Sequence, residues 1–266
     1  MASTPPSPSA AEPAFSSIAH KLHLITNRIR QSLEIDAILG TTVQEVQRFL
    51  QIDRVKVYQF QADGHGVVQA EALMPNHDPK HNHPYRLPSL LGLHFPADDI
   101  PLFAREVYLR QRQRTIVNIQ TQEIGISPLV SPDTGHAVDA TDINYRVVDP
   151  CHLEYLRTMG VQASLVLPIV VEMPAEGQPI AIHDPLPLSL GPNQVLWGLL
   201  VAHHSEPYEF SQQSLDLLQG VVDQVEVAIA QSVLLEQMRM QNHQESTLNR
   251  IPVFFTITPK FACKKP

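Results

Sequence analysis

The 266 residues are 43% hydrophobic and 17% charged, with 23 prolines against 11 glycines, which excludes a chain disordered throughout. The length suits one large domain or two small ones and can bury a full core. A formal net charge of -8 argues against an electrostatic nucleic-acid binder, no run reaches the ~18 uninterrupted apolar residues of a membrane helix, and no basic-then-apolar leader opens the chain, so a cytoplasmic protein is expected.

Residues 1–14 are almost all small residues or proline and are expected to form a disordered tail. From Phe15 an apolar stripe (Ile18, Leu22, Ile25, Ile29, Leu33) recurs every three or four residues, predicting an N-terminal helix over 15–32. A second helix is predicted over Ile35 to Leu50. The period then switches to two. Arg54 to Phe60 reads as a half-buried strand, Ala62 to Gly66 as a turn, and Val67 to Leu73 as the returning strand. Asp98 and Asp99, followed by Pro101, read as the cap of a helix running to Gln111. Thr115 to Ile119 is a short strand, and Thr121 to Arg146 has no period. Asp149-Pro150 opens a short helix that Gly160 closes. Ala163 to Val171 and Val195 to His204 are strands around a proline-rich excursion. Ser211 to about Asn249 is helical, and Leu215, Leu218, Val222, Val225 and Ile229 form a seam suited to a partner helix. Hairpin-connected strands flanked by helices give an α+β domain with an antiparallel sheet. A phosphate-binding glycine loop, a nucleophile elbow and an ATPase signature are all missing from the sequence, so no enzyme is expected.

The two cysteines, Cys151 and Cys263, cannot form a disulfide framework. Cys151 falls in the first turn of the helix opened at Pro150, where the helix N-terminus favours a thiolate. His152 follows it, and Tyr155 lies one turn on along the same face. This suits nucleophilic attack or covalent ligand capture, and equally suits inert packing. Plain readings exist for other residues too: Asp99 as a helix cap, Arg105 and Arg114 as solvated charges, and Tyr58, Tyr155 and Trp197 as core aromatics. Strand alternation lets only one of His203 and His204 face a given side. His77, His81 and His83 lack a completing cysteine or carboxylate pattern, so no metal site is expected.

Phe95-Pro96-Ala97-Asp98-Asp99-Ile100-Pro101 with Ala104-Arg105 and Tyr108 resembles the Pro-x-Ser-Asp-Ile-Pro motif and following helix of phytochromes. Asp149 to Leu156, continuing through Met159 to Ser164, resembles their chromophore-attachment segment, and Leu196 to His204 resembles their pocket-closing strand. Tyr58-Gln59-Phe60 with Asp63 to Gly66 matches their first hairpin. The resemblance covers residues 33–234 as one bilin-binding GAF domain, with a helical extension or partial further domain over 235–266. It implies a photoreceptor holding a linear tetrapyrrole. Cys151 would form a thioether to ring A, and His152 would pack on the pyrrole rings. Asp99 would meet the pyrrole N–H groups or their water, Tyr58 and Tyr155 would flank ring D, and His203 would bond the ring D carbonyl. Arg146 matches a propionate-binding arginine, and Arg114, Tyr108 and Ser164 are further propionate or pocket candidates.

Only residues 1–32 precede this region, so the resemblance points to the knotless, PAS-lacking phytochromes or a cyanobacteriochrome-type module without an output domain. A cysteine at position 151, with none near the N-terminus, implies phycocyanobilin and a cyanobacterial source. Light-driven Z/E isomerisation at ring D would then move the flanking helices, with a red-absorbing state and a shifted photoproduct. The expected partners are the bilin, a second copy of the chain through the terminal helices, and a downstream signalling protein that the sequence does not identify. The alternatives from other classes are a pigment-free GAF interaction module and a GAF sensor of another small ligand.

Overall fold

A computed structural model describes residues 11–74, 88–110, 114–116, 119, 150–172 and 194–248, the side chains of 11–18, 103, 107, 110, 114–116, 150–153 and 244–248 excepted. Two helices come first, α1 (Ala11–Ile29) and α2 (Ile35–Leu50). α1 begins before Phe15, so residues 11–14 belong to a helix rather than to the expected tail. Pro13 is tolerated there because the first-turn N–H groups have no intrahelical acceptor in any case. α2 has the predicted limits and ends on Gln51, which takes a left-handed φ of 54° and returns its N–H to the Gln47 carbonyl.

Six strands follow: β1 (Arg54–Phe60), β2 (Gly66–Leu73), β3 (His94–Phe95), β4 (Arg114–Ile116), β5 (Ala163–Glu172) and β6 (Gln194–His204). They form one antiparallel sheet in the order β3-β2-β1-β6-β5-β4. Three short segments lie between strands: a 3-10 turn (Ala97–Asp99), α3 (Leu102–Arg110) and α4 (Pro150–Thr158). The 37-residue α5 (Gln212–Leu248) closes the described chain.

The alternation seen in the sequence divides the sheet into two faces. Val55 and Val57 of β1, Leu165 and Leu167 of β5, and Leu200 and Ala202 of β6 join one core with Ile29, Ile38, Leu39, Val43, Val222 and Ile229 of the long helices. The seam of α5 therefore packs against β5, α1 and α2 of its own chain. By length and composition α5 is also the one helix among the described residues that could cross a membrane, yet half of its most apolar window is buried in this fold. Gly220 lets α1 come close: a Cβ there would stand 2.9 Å from Leu22 Cδ2.

Tyr58, Val166, Leu199 and Val201 point the other way and build a second cluster with Tyr108 and Leu90. The phase is kept by irregularities at β1–β2 (Val57/Tyr58) and β5–β6 (Ile169/Val170). Gly198 lies at the second, where a Cβ would stand 2.5 Å from the Tyr58 carbonyl oxygen. His203 faces this second side and His204 the first, as the alternation requires. His204 Nδ1 stands 2.9 Å from Asp53 Oδ2, and Ser205 N–H donates to the same oxygen at 2.7 Å. These contacts pin the end of β6 to the α2–β1 connection. Burial alone would raise the Asp53 carboxyl, but hydrogen bonds from His204 and Ser205 hold it well below the usual carboxylate range.

Candidate ligand-binding cleft

The second face of the sheet is the floor of a cleft, a concave apolar surface with a few polar groups of the kind that small-molecule and cofactor sites present. Tyr58 and Lys56 rise from β1, Ser164 and Val166 from β5, and Leu199, Val201 and His203 from β6. Phe95, Asp99, Ile100, Tyr108, Tyr155 and Leu156 enclose them from β3, the 3-10 turn, α3 and α4. The cleft thus brings together Tyr58, Asp99, Tyr108, Tyr155, Ser164 and His203 of the residues singled out in the sequence. Ser164 and His203 are direct partners in the β5–β6 register, and both are almost fully buried.

Cys151 is the second residue of α4, four before Tyr155 and on the same helical face. The backbone thus gives it the first-turn position expected of it, closed beyond Thr158 by Gly160 at φ 70°. The side chains of Cys151 and His152 lie outside the described part, as does that of Arg114, whose backbone begins β4. Arg146 lies outside the described residues altogether, as do His77, His81 and His83.

Two plain readings are corrected. Asp99 does not cap α3. It belongs to the separate 3-10 turn, while α3 starts at Leu102 with the Pro101 carbonyl accepting from Ala104 and Arg105. The chain turns twice because Pro96 and Pro101 bracket the motif and each fixes its own φ. Asp99 is thereby released from the helix end and turned to the cleft. Arg105 is not a solvated charge either: it is 3% exposed. Its guanidinium donates to the carbonyls of Ile100 (2.7 Å), Gly64 (2.5 Å) and Ala97 (3.3 Å) and lies over the Phe60 ring at 4.5 Å. It fastens the β1–β2 turn to the Asp98-Asp99 turn, so the Asp99 backbone is held against the sheet.

Tyr58 is set among aromatic rings, 5.4 Å from Phe60 edge-on and 6.0 Å from Phe95, and Phe95 in turn meets Tyr155 at 6.4 Å. The Tyr58 ring lies over Gly66, where a Cβ would fall 1.8 Å from its Cζ. The second glycine of the Asp63 to Gly66 turn is therefore the seat of this ring. Among the described residues the buried Tyr58 hydroxyl has no hydrogen-bond partner. Burial pushes both Tyr58 and Tyr155 up to about 12, with Asp99 adding to the rise, so both are neutral donors.

Lys56, Phe95 and the Arg54–Glu71 pair were not anticipated. Arg54 is 1% exposed, with Nε 2.9 Å from Glu71 Oε1 and a hydrogen bond to the Pro88 carbonyl. Lys56 is 4% exposed on the same face. The strict alternation of Arg54, Lys56 and Tyr58 was the available signal: any face that carries Tyr58 also carries the two cations.

An apolar cleft on one sheet face, with a few fixed polar groups and an unsatisfied hydroxyl, defines a small-molecule-binding α+β domain. The chain belongs to the GAF domain family, whose model matches residues 34–229. It is 38% identical over 169 residues to a bacteriophytochrome of Xanthomonas campestris pv. campestris, covering 64% of this chain and 22% of that protein's length. It is similar to two solved structures of GAF domains from a cyanobacterial phytochrome. The phycocyanobilin-bound one matches at 42% identity and a TM-score of 0.59, covering 82% of this chain and 96% of the other. The phycoerythrobilin-bound one matches at 42% and 0.60, covering 82% and 97%. The antiparallel sheet, the long final helix and the phytochrome kinship expected from the sequence are all borne out.

Proposed function

We propose that this chain is the bilin-binding module of a photoreceptor, holding phycocyanobilin or a closely related linear tetrapyrrole through Cys151. The observation that carries this reading is one cleft lined by Tyr58, Asp99, Tyr108, Tyr155, Ser164 and His203, in a fold 42% identical to bilin-bound GAF domains. The cleft fits such a group on its own chemistry. Its walls are apolar and aromatic, and its orphan tyrosine hydroxyl waits for an acceptor.

A bound bilin would supply light absorption and a double bond that isomerises at ring D. The chain's own residues do the rest. The N-terminal position of Cys151 in α4 favours its thiolate, suited to a thioether link. Arg105 keeps Asp99 at the cleft to accept from pyrrole N–H groups. Tyr58, Tyr155 and His203 are donors on the cleft wall that can exchange partners when a ring turns. His152 would pack on the pyrroles, and Arg114 and Arg146 would bind propionates as bidentate forks.

A path outward also exists. Leu199 and Val201 line the cleft while Leu200 and Ala202 of the same strand pack in the core with α5. Glu226 of α5 accepts a hydrogen bond from the Val170 N–H of β5 at 2.8 Å. Movement of the cleft wall would therefore reach α5, whose exposed Val227, Leu234, Met238 and Met240 suit pairing with a second copy. The chain would act as a cytoplasmic sensor module that is not itself an enzyme.

Co-expression with enzymes that make phycocyanobilin tests the attachment. A coloured protein giving a zinc-fluorescent band on denaturing gels is expected, and Cys151→Ala should lose the band and keep the fold. Wild-type protein without the band would refute covalent capture.

A further inference from the structure

Lys56 is a buried nucleophile that bilin binding leaves unused. It is 4% exposed and lies on the cleft face of β1, between Arg54 and Tyr58 in the strand's alternation. Two features separate it from a surface lysine. The carboxylate across from it is engaged elsewhere: Glu71, its register partner on β2, pairs with Arg54 Nε at 2.9 Å and accepts from the Leu90 N–H at 3.0 Å and the Ser89 hydroxyl at 2.5 Å. The walls it meets are apolar or aromatic. Val201 is its register partner on β6, Val166 and Leu199 line the same floor, and the Phe95 ring lies 5.7 Å from Nζ. The charged or titratable groups facing it are Arg54 and Tyr58 on β1, Glu71 on β2, His203 on β6, Asp99 on the 3-10 turn, Tyr108 on α3 and Tyr155 on α4. Burial draws the amine down to about 8, with Arg54 adding to the fall and Glu71 opposing it. About a tenth of it is therefore neutral at pH 7, roughly two hundred times the neutral fraction of an ordinary lysine.

We propose that Lys56 is an imine-forming amine, and that the pigment-free cleft captures an apolar or aromatic aldehyde covalently at its Nζ. This activity is separate from bilin binding and stands on the cleft alone. The lone pair of the neutral amine attacks the carbonyl carbon, the N–C bond forms, and one amine proton passes to the carbonyl oxygen to give a carbinolamine. The hydroxyl then leaves as water with the second amine proton, and a C=N bond remains. The sum is amine plus aldehyde giving imine plus water, with no oxidation or reduction. Two groups on the opposite wall can carry the protons: the Asp99 carboxylate accepts, and the Tyr155 phenol, kept neutral by burial, donates. The apolar walls act twice, since they hold part of the amine neutral and oppose hydrolysis of the imine by water. Phe95 offers its ring beside Nζ to an aromatic aldehyde. An aldehyde carrying a carboxylate gains little, because Arg54 already holds Glu71.

The test treats the pigment-free chain with benzaldehyde and sodium cyanoborohydride, which reduces the imine to a stable secondary amine, and reads the labelled sites by peptide mass spectrometry. The chain has six lysines, so the other five are internal references. At pH 7 Lys56 should be labelled about tenfold faster than any of them or more, with a rate that rises through a midpoint near 8. Glyoxylate, a small anionic aldehyde, should show no such preference. Lys56→Met should remove the Lys56 adduct and leave labelling of the other five unchanged. Labelling spread evenly over the lysines overturns the proposal, as does an unlabelled Lys56, an equal preference with glyoxylate, or a Lys56 rate that still climbs at about pH 10 like that of a surface amine. No pigment enters these measurements. A chain that labels at Lys56 and takes up no phycocyanobilin overturns the bilin reading alone.

Discussion

Replacing Gly66 by alanine isolates the seat of Tyr58. The new Cβ would stand 1.8 Å, 2.0 Å and 2.2 Å from Tyr58 Cζ, hydroxyl and Cε1, where ordinary contact begins at 3.4 Å. The ring must therefore retreat well over an ångström, against Phe60 at 5.4 Å and Phe95 at 6.0 Å. Overpacking of this kind costs about 1–3 kcal/mol. No positive φ is involved at Gly66, so the backbone accepts alanine without strain. In a Tyr58→Ala background the obstacle is gone, and alanine should be preferred to glycine in the strand by up to about 0.5–1 kcal/mol. The two substitutions should then couple by about 2–3 kcal/mol, with Gly66→Ala changing sign between backgrounds. Urea unfolding of the pigment-free wild type, both single variants and the double variant measures this. Equal effects of Gly66→Ala in the two backgrounds, within about 0.5 kcal/mol, would refute the assignment of Gly66 as the ring's seat.

Tyr58→Phe removes a buried hydroxyl that has no partner, so it should stabilise the pigment-free protein by about 1 kcal/mol in the same assay. Arg105→Leu should cost about 3 kcal/mol by leaving three carbonyls without their donor, with faster hydrogen exchange across residues 61–66 and 97–105. Asp53→Asn should cost about 2 kcal/mol at pH 7. Because the folded carboxyl of Asp53 lies below its unfolded value, its contribution is complete above about pH 4 and drains away as the pH falls toward the folded value. The stability gap between wild type and Asp53→Asn should therefore narrow in urea titrations below pH 4; a constant gap would refute the ionic role.

Much of this architecture was legible because its signals are local. The period-two runs of β1, β5 and β6 and the Pro150 to Gly160 punctuation of α4 place those elements within a residue or two. Alternation allowed only one of His203 and His204 on a given face, the phytochrome resemblance singled out His203, and His203 lines the cleft. Other features depend on distant partners. Arg105 bonds only to backbone carbonyls, one of them 41 residues away at Gly64, so no side-chain pattern announces it. Lys56 reads as the solvated side of an edge hairpin until β3, the 3-10 turn and α4 cover that face. Asp98-Asp99-Ile100-Pro101 carries cap and turn signals at once; the bracketing prolines give the turn, and Arg105 fastens it through the Ala97 carbonyl. The apolar seam of α5 has the same spacing whether its partner is another chain or, as here, α1, α2 and the sheet.

The central claim is that light acts on a pigment held in the cleft among Tyr58, Tyr155 and His203. An absorption spectrum of the phycocyanobilin-loaded protein, taken in darkness and again after red illumination, tests it most directly. The account expects a red band in darkness that falls under illumination while a shifted band rises, with a common crossing point and recovery in the dark or under the second colour. A loaded protein whose spectrum is the same before and after illumination would contradict it.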